Sequence, residues 1–333
     1  MKIKKQTIRV AAVQAAPVLP LSAEKTAQKA CELIADAASG GARLIVFPET
    51  FIPSYPTLSI DLSRSGEWLR AVADFSREAV TVPGPEIERI SEMARKCHVY
   101  VNMGITERAP RFDGLLFNSM VFFGPDGAVL LNHRKLSPSN REKVFWARGD
   151  GNTLTVLDTE VGRIGGLICA ENLQPLWKYA LIGQGEQIHC MGWPGWPMLK
   201  EKQGWDNRLI IDAAVRCFAL EGQCFVVSSS MYIPESMGKA SGWENANWSF
   251  FGGSSIAGPN GEYIAGPLYG EEGIVFGDLD FEQILMRKAL VDTTGRDARW
   301  DVVRLKRVKQ KFVPVETEDF EEESLDPKIA KNE

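Results

Sequence analysis

Histidine is scarce: only His98, His133 and His189 occur among 333 residues. That inventory argues against a histidine-ligated zinc centre and against a serine–histidine–aspartate triad. His189 directly precedes Cys190, and neighbouring strand residues point to opposite faces, so those two make a poor dyad. Six cysteines are present (Cys31, Cys97, Cys169, Cys190, Cys217, Cys224), but no two have the CxxC spacing of a metal site. Several lie within helical or strand patterns, which argues against a disulfide framework and for reduced, cytoplasmic usage. Positive charge is not in excess. A formal net charge of −5 speaks against a nucleic-acid or anionic-membrane partner. No apolar run approaches the length of a membrane span. Met1–Lys5 followed by Val10–Ala16 imitates a secretory signal, but Arg9 and Gln14 interrupt a run already short for one. A first buried strand is the better reading.

The periodicities give an alternating α/β grammar. Ile8–Ala15 reads as a strand, and Ser22–Ala38 as an amphipathic helix capped by Ser22 and ended by Gly40-Gly41. Leu44–Phe47 is a second buried strand, closed by the proline-rich loop Pro48–Pro56. Helical patterns follow at about Glu67–Ala79 and Glu86–Lys96. Then come the strand Val99–Gly104 and a hairpin of Ser119–Phe123 and Ala128–Leu131 around Gly124-Pro125-Asp126-Gly127. The second half repeats this order: a strand running into Cys169, a helix after Pro175, the strand Gln187–Met191, a helix over about Asp206–Leu220 and the strand Cys224–Ser228. A hairpin of Ser254–Ala257 and Glu262–Ala265 turns at Gly258-Pro259-Asn260-Gly261. Gly273–Leu279 and a helix near Phe281–Leu290 complete the pattern. The matching turns suggest an internal duplication. The expected fold is a four-layer α-β-β-α sandwich of two mixed sheets with helices outside, spanning residues 1–313 as one domain. Residues 314–333 form an acidic run with few apolar anchors and are expected to be a disordered tail.

Three polar points sit beside buried strands. Polarity breaks abruptly at Cys169 after the apolar run Ile164–Ile168, at the point where a strand hands over to a helix. Unpaired N–H groups near a helix start favour a thiolate, and the Ala170 N–H is the first candidate donor to an oxyanion. A free cysteine is more usually a buried small hydrophobe, so the turn alone proves little. Glu49 ends Leu44–Phe47 in a constrained loop, where desolvation would raise its pKa and suit it to act as a base. Lys135 follows the first hairpin; near a thiol its ammonium would stabilise negative charge. Glu142 lies seven residues further on, ahead of Phe145-Trp146.

Taken in order, Pro48-Glu49-Thr50-Phe51, then His133-Arg134-Lys135-Leu136 with Glu142, then Gly166-Leu167-Ile168-Cys169-Ala170-Glu171-Asn172 resemble the Glu-Lys-Cys signature of the nitrilase superfamily. Phe51–Pro56 and the stretch Gln174–Leu181 are similar to its nitrilase branch. The resemblance implies Cys169 as nucleophile, Glu49 as base, Lys135 as stabiliser of a tetrahedral intermediate and Glu142 as a supporting carboxylate. It implies hydrolysis of a small-molecule nitrile to acid and ammonia, with no metal or organic cofactor, in a homodimer or larger spiral homo-oligomer. Amidase or carbamoylase chemistry, nitrile hydration to an amide and a non-catalytic scaffold are the competing readings. Phe51, Tyr55, Trp146, Trp193 and Trp196 are the candidate pocket aromatics and lean towards aryl or arylaliphatic nitriles. Two departures stand out. Ala170 occupies a position where nitrilases commonly carry tryptophan, and Arg296 and Trp300 stand where a C-terminal motif usually has histidine and proline.

Overall fold

The computed structural model describes residues 6–56, 66–195, 206–234, 236–237 and 250–309. Strand β1 (Thr7–Gln14) shows how the layers arise. Val10 and Ala12 enter one core while Ala11 and Val13, on the opposite face of the strand, enter another. Burial on both faces accounts for its nearly unbroken apolar run.

Helix α1 (Ala23–Ser39) begins at Ser22, whose side chain accepts the Lys25 N–H, and buries Ala27, Ala30 and Ile34 against the outer face. After it come β2 (Leu44–Val46), α2 (Gly66–Arg77), α3 (Pro85–Cys97), β3 (Tyr100–Arg108), β4 (Leu116–Phe123) and β5 (Val129–Arg134). The second half supplies β6 (Leu157–Thr159), β7 (Gly162–Ile168), α4 (Pro175–Ile182), β8 (Ile188–Trp193), α5 (Asn207–Gly222) and β9 (Phe225–Ser230). β10 (Tyr232–Ile233), β11 (Phe250–Ala257), β12 (Tyr263–Tyr269), β13 (Gly273–Asp280) and α6 (Glu282–Leu290) close the described fold.

One sheet has the order β13-β1-β2-β3-β4-β5; the other runs β10-β11-β9-β8-β7-β6, with β12 pairing β11. Both are mixed. The pairs β1·β2 and β2·β3 are parallel, while β3·β4 and β4·β5 are antiparallel. The series β7, β8, β9, β11, β12 repeats that sequence of polarities. The matching turns noted in the sequence thus correspond to a repeated strand order. Val10, Leu44, Val46, Met120 and Phe122 meet Ile168 and Cys190 between the sheets. α1 and α3 cover one outer face, and Ile211, Val215 and Phe218 of α5 cover the other.

Several boundaries differ from expectation. β5 continues to Arg134, so Lys135 stands one residue past a strand end. No α-helix starts at Cys169: a 3₁₀ turn, Cys169–Leu173, intervenes because Pro175 has no N–H and opens the α-helix only beyond it. The short edge strands β6 and β10 were not expected from periodicity. No helix among the described residues is long and apolar enough to cross a membrane. The expected acidic tail, residues 314–333, and Trp196 lie outside the described residues.

Candidate active site

Three strand ends and one turn converge between the sheets. Glu49 lies just beyond β2, and its loop presses on β3 at Gly104. A Cβ there would stand 2.6 Å from the Thr50 nitrogen and 2.9 Å from the Glu49 carbonyl carbon. Only a glycine permits that approach. Thr50 itself adopts φ of 46°, a left-handed backbone rarely taken by a β-branched residue.

Glu49 Oε1 accepts two short bonds, from Lys135 Nζ at 2.6 Å and from Asn118 Nδ2 at 2.6 Å. Its Oε2 has no hydrogen-bond partner among the described residues. Lys135 also donates to Glu142 Oε2 at 2.8 Å, and its side chain is 0% exposed. Glu142 sits on a 3₁₀ turn (Asn140–Val144) and is held further by the Ser139 N–H at 2.6 Å and the Tyr55 hydroxyl at 2.9 Å. Two of the three Lys135 donors are therefore engaged within this group.

Cys169 is buried with φ of 53°, and one sulfur and one oxygen from each of Glu49 and Glu142 lie within 4.8 Å of one another. The backbone N–H of Ala170 favours the charged form of the sulfur, though less than burial opposes it. Such a three-atom set could ligate a cation, but the Lys135 ammonium already fills the cation position between the two carboxylates. This donor set is better suited to proton transfer and nucleophilic attack.

Burial dominates the electrostatics. It raises the Glu49 pKa to about 7, with Lys135 opposing and Glu142 assisting. Burial also pushes the Cys169 thiol well up, and the Glu49 charge adds to it, while Lys135 pulls the other way. Burial and the Glu49 carboxylate thus favour the thiol, against the thiolate-favouring turn expected from the sequence. For Lys135, burial works against the charge, but the carboxylates of Glu49 and Glu142 outweigh it and raise its pKa well above the usual lysine value.

The turn carrying Cys169 is tied down from two sides. Glu171 accepts the Ile168 N–H at 2.8 Å and the Leu136 N–H at 2.7 Å, and faces His133 Nε2 at 3.1 Å. One carboxylate thus joins the cysteine turn to the chain leaving Lys135. These bonds and the adjacent His133 overcome the cost of burial and lower its pKa. Asn172 bonds the turn from the other side. Neither role was assigned from sequence, although the polarity break behind Cys169 marked both residues. Asn118 was missed entirely; the available signal was a buried polar residue inside the apolar run of β4.

The candidate pocket aromatics divide. Tyr55 reaches the site through Glu142, and its ring meets Trp146 edge-on at 5.6 Å. Phe51 is fully buried against Phe47 at 5.4 Å, beneath the outer helices. Trp193 is fully buried too, its indole N–H donating to Ser228 Oγ at 3.1 Å. Both side chains are buried, Phe51 in apolar packing and Trp193 with an internal acceptor.

The sequence pattern of the family described as carbon-nitrogen hydrolase matches residues 9–286. An aliphatic nitrilase of Sinorhizobium fredii is 37% identical over 306 residues, covering 89% of this chain and 94% of that one. A bifunctional nitrilase/nitrile hydratase of Nicotiana tabacum is 36% identical, covering 90% and 85%. The crystal structure of a carbon-nitrogen hydrolase from Helicobacter pylori superposes with a TM-score of 0.72 at 22% identity, over 89% and 96% of the two chains. That last likeness concerns the fold.

Proposed function

Because this chain belongs to the carbon-nitrogen hydrolase family, we propose that it is a nitrilase, converting a small organic nitrile and water to a carboxylic acid and ammonia. The observation that carries the reading is the buried Glu49–Lys135–Glu142 group set against Cys169 on its left-handed turn. The thiol proton passes to Glu49 Oε2 while sulfur attacks the nitrile carbon. Delivered to the nitrile nitrogen, that proton completes a thioimidate. Moving a proton from sulfur to Glu49 leaves the cluster's charge unchanged, which is how a thiol with a raised pKa can still act. Glu49 then deprotonates a water that adds to the thioimidate. The remaining Lys135 donor and backbone N–H groups stabilise the tetrahedral charge. Glu49 passes the water's proton to nitrogen and carries the hydroxyl proton there in turn, so that the carbon–nitrogen bond breaks, ammonia leaves and a thioester remains. A second water, deprotonated by Glu49, frees the acid as the proton returns to sulfur.

Breaking the carbon–sulfur bond of the same tetrahedral species would instead release an amide. The similarity to a bifunctional nitrilase/nitrile hydratase favours this as a side product. Beside the aryl expectation, the similarity to the Sinorhizobium aliphatic nitrilase puts aliphatic nitriles in the test. A panel of aliphatic and arylaliphatic nitriles with their matched amides, resolving acid, amide and ammonia, checks the reading. Turnover of amides but of no nitrile would overturn it. We also infer self-association, supported by Leu176, Trp300, Val302 and Val303, which expose apolar surface along one groove.

A further inference from the structure

We propose that Glu186, His189 and Asn172 form a positioning relay that holds the backbone of Cys169 in its reactive conformation. The relay presupposes Cys169 as the nucleophile. All three residues are buried, and among the described residues none shares a hydrogen bond with Glu49, Lys135 or Glu142.

Asn172 Nδ2 donates to the Leu167 carbonyl at 3.1 Å and to the Cys169 carbonyl at 3.0 Å. The amide therefore spans the break where β7 becomes the 3₁₀ turn, and it clasps the carbonyl of the residue whose φ is 53°. A non-glycine residue in that region is strained and persists only when its surroundings over-determine it. Two donor bonds fix which atom of Asn172 is nitrogen, so its Oδ1 faces His189 Nε2 at 2.8 Å and the ring must donate there. His189 Nδ1 faces Glu186 Oε1 at 2.8 Å, and one proton lies in that bond whichever group holds it. Phe218 stacks on the imidazole at 3.6 Å and 19°, fixing the ring plane.

The strand before the cysteine makes room for this relay. A Cβ at Gly165 would overlap Glu186 Oε1, and one at Gly166 would stand 2.8 Å from Met120 Sδ and 2.9 Å from the Cys190 carbonyl. Gly165 thus admits the carboxylate and Gly166 admits the opposing sheet. A hydrogen bond lost from such a chain is worth about fivefold in rate, roughly 1 kcal/mol, if it acts on the transition state.

The test compares His189→Phe, which keeps the aromatic stack but removes both polar contacts, with His189→Gln, which restores an amide N–H near the Nε2 position. Asn172→Asp keeps the shape and the His189 contact but sets oxygen against the two carbonyls. For each variant, kcat, KM, Tm and the rate of Cys169 alkylation by iodoacetamide are measured alongside Cys169→Ala. We expect kcat and alkylation to fall about fivefold in His189→Phe with KM little changed, and most of both to return in His189→Gln at a similar Tm. Asn172→Asp should reproduce the loss, which keeps the test available if His189→Phe does not fold. Wild-type kcat in a folded His189→Phe or Asn172→Asp, or no recovery in His189→Gln, would overturn the relay. An active Cys169→Ala would instead overturn the nucleophile beneath it.

Discussion

Glu49 has one oxygen committed to Lys135 and Asn118 and the other without a partner among the described residues, and burial holds its pKa near 7. As a base it must be ionised, so kcat/KM should rise with pH through about 7. The raised pKa of Lys135 keeps the cation in place above that range. The carboxyl's contribution to stability runs the other way: its pKa is raised on folding, so that contribution is complete below 4.5 and lost as pH rises through about 7. A flat kcat/KM profile across neutrality would contradict Glu49 as the base. Glu49→Gln should cost about 10²–10⁴-fold in kcat, and Lys135→Met about 10²–10³-fold. Glu142→Gln should cost less, because Glu142 only orients the ammonium; steady-state rates of the three variants rank these roles. Because the groups act as a unit, the losses will not add.

At the scale of elements, the site depends on glycines that let backbones meet. Gly104→Ala would drive the Glu49 loop off β3. We expect it to lose about 1–3 kcal/mol of stability together with at least tenfold in kcat, measured by thermal melts and initial rates. Unchanged kcat in the Gly104→Ala variant would show that the loop contact does not set the base. The strands, the outer helices and the two matched hairpins were legible because alternation and the 3.6-residue period are local signals. The 3₁₀ turns bearing Glu142 and Cys169 were not, because each is too short to show a period. Left-handed backbone at Thr50 and Cys169 was hidden as well, since neither residue is the glycine or asparagine that usually announces it. Glu49, Lys135 and Cys169 could be named from motif order. The ties that place them, such as Glu171 to Leu136 and Asn118 to Glu49, join residues far apart in sequence and had no local signature.

At the scale of the whole molecule, the repeated strand order sets the end of β2 in one sheet and the end of β7 in the other around the same interior, which is how Glu49 and Cys169 come to share a site. The apolar groove of Leu176, Trp300, Val302 and Val303 lies on the outside. Placing a charge there, as in Leu176→Asp, should reduce the mass seen by light scattering if it forms the contact between copies. An unchanged mass would remove the groove from that role. The covalent bond assigned to Cys169 is the most direct point of test. Enzyme quenched in acid while turning over a nitrile and analysed by intact-mass and peptide mass spectrometry should carry a substrate-derived adduct on the peptide containing Cys169. The same adduct should be absent from Cys169→Ala. Turnover with no adduct at Cys169, or an adduct confined to another cysteine, would contradict it.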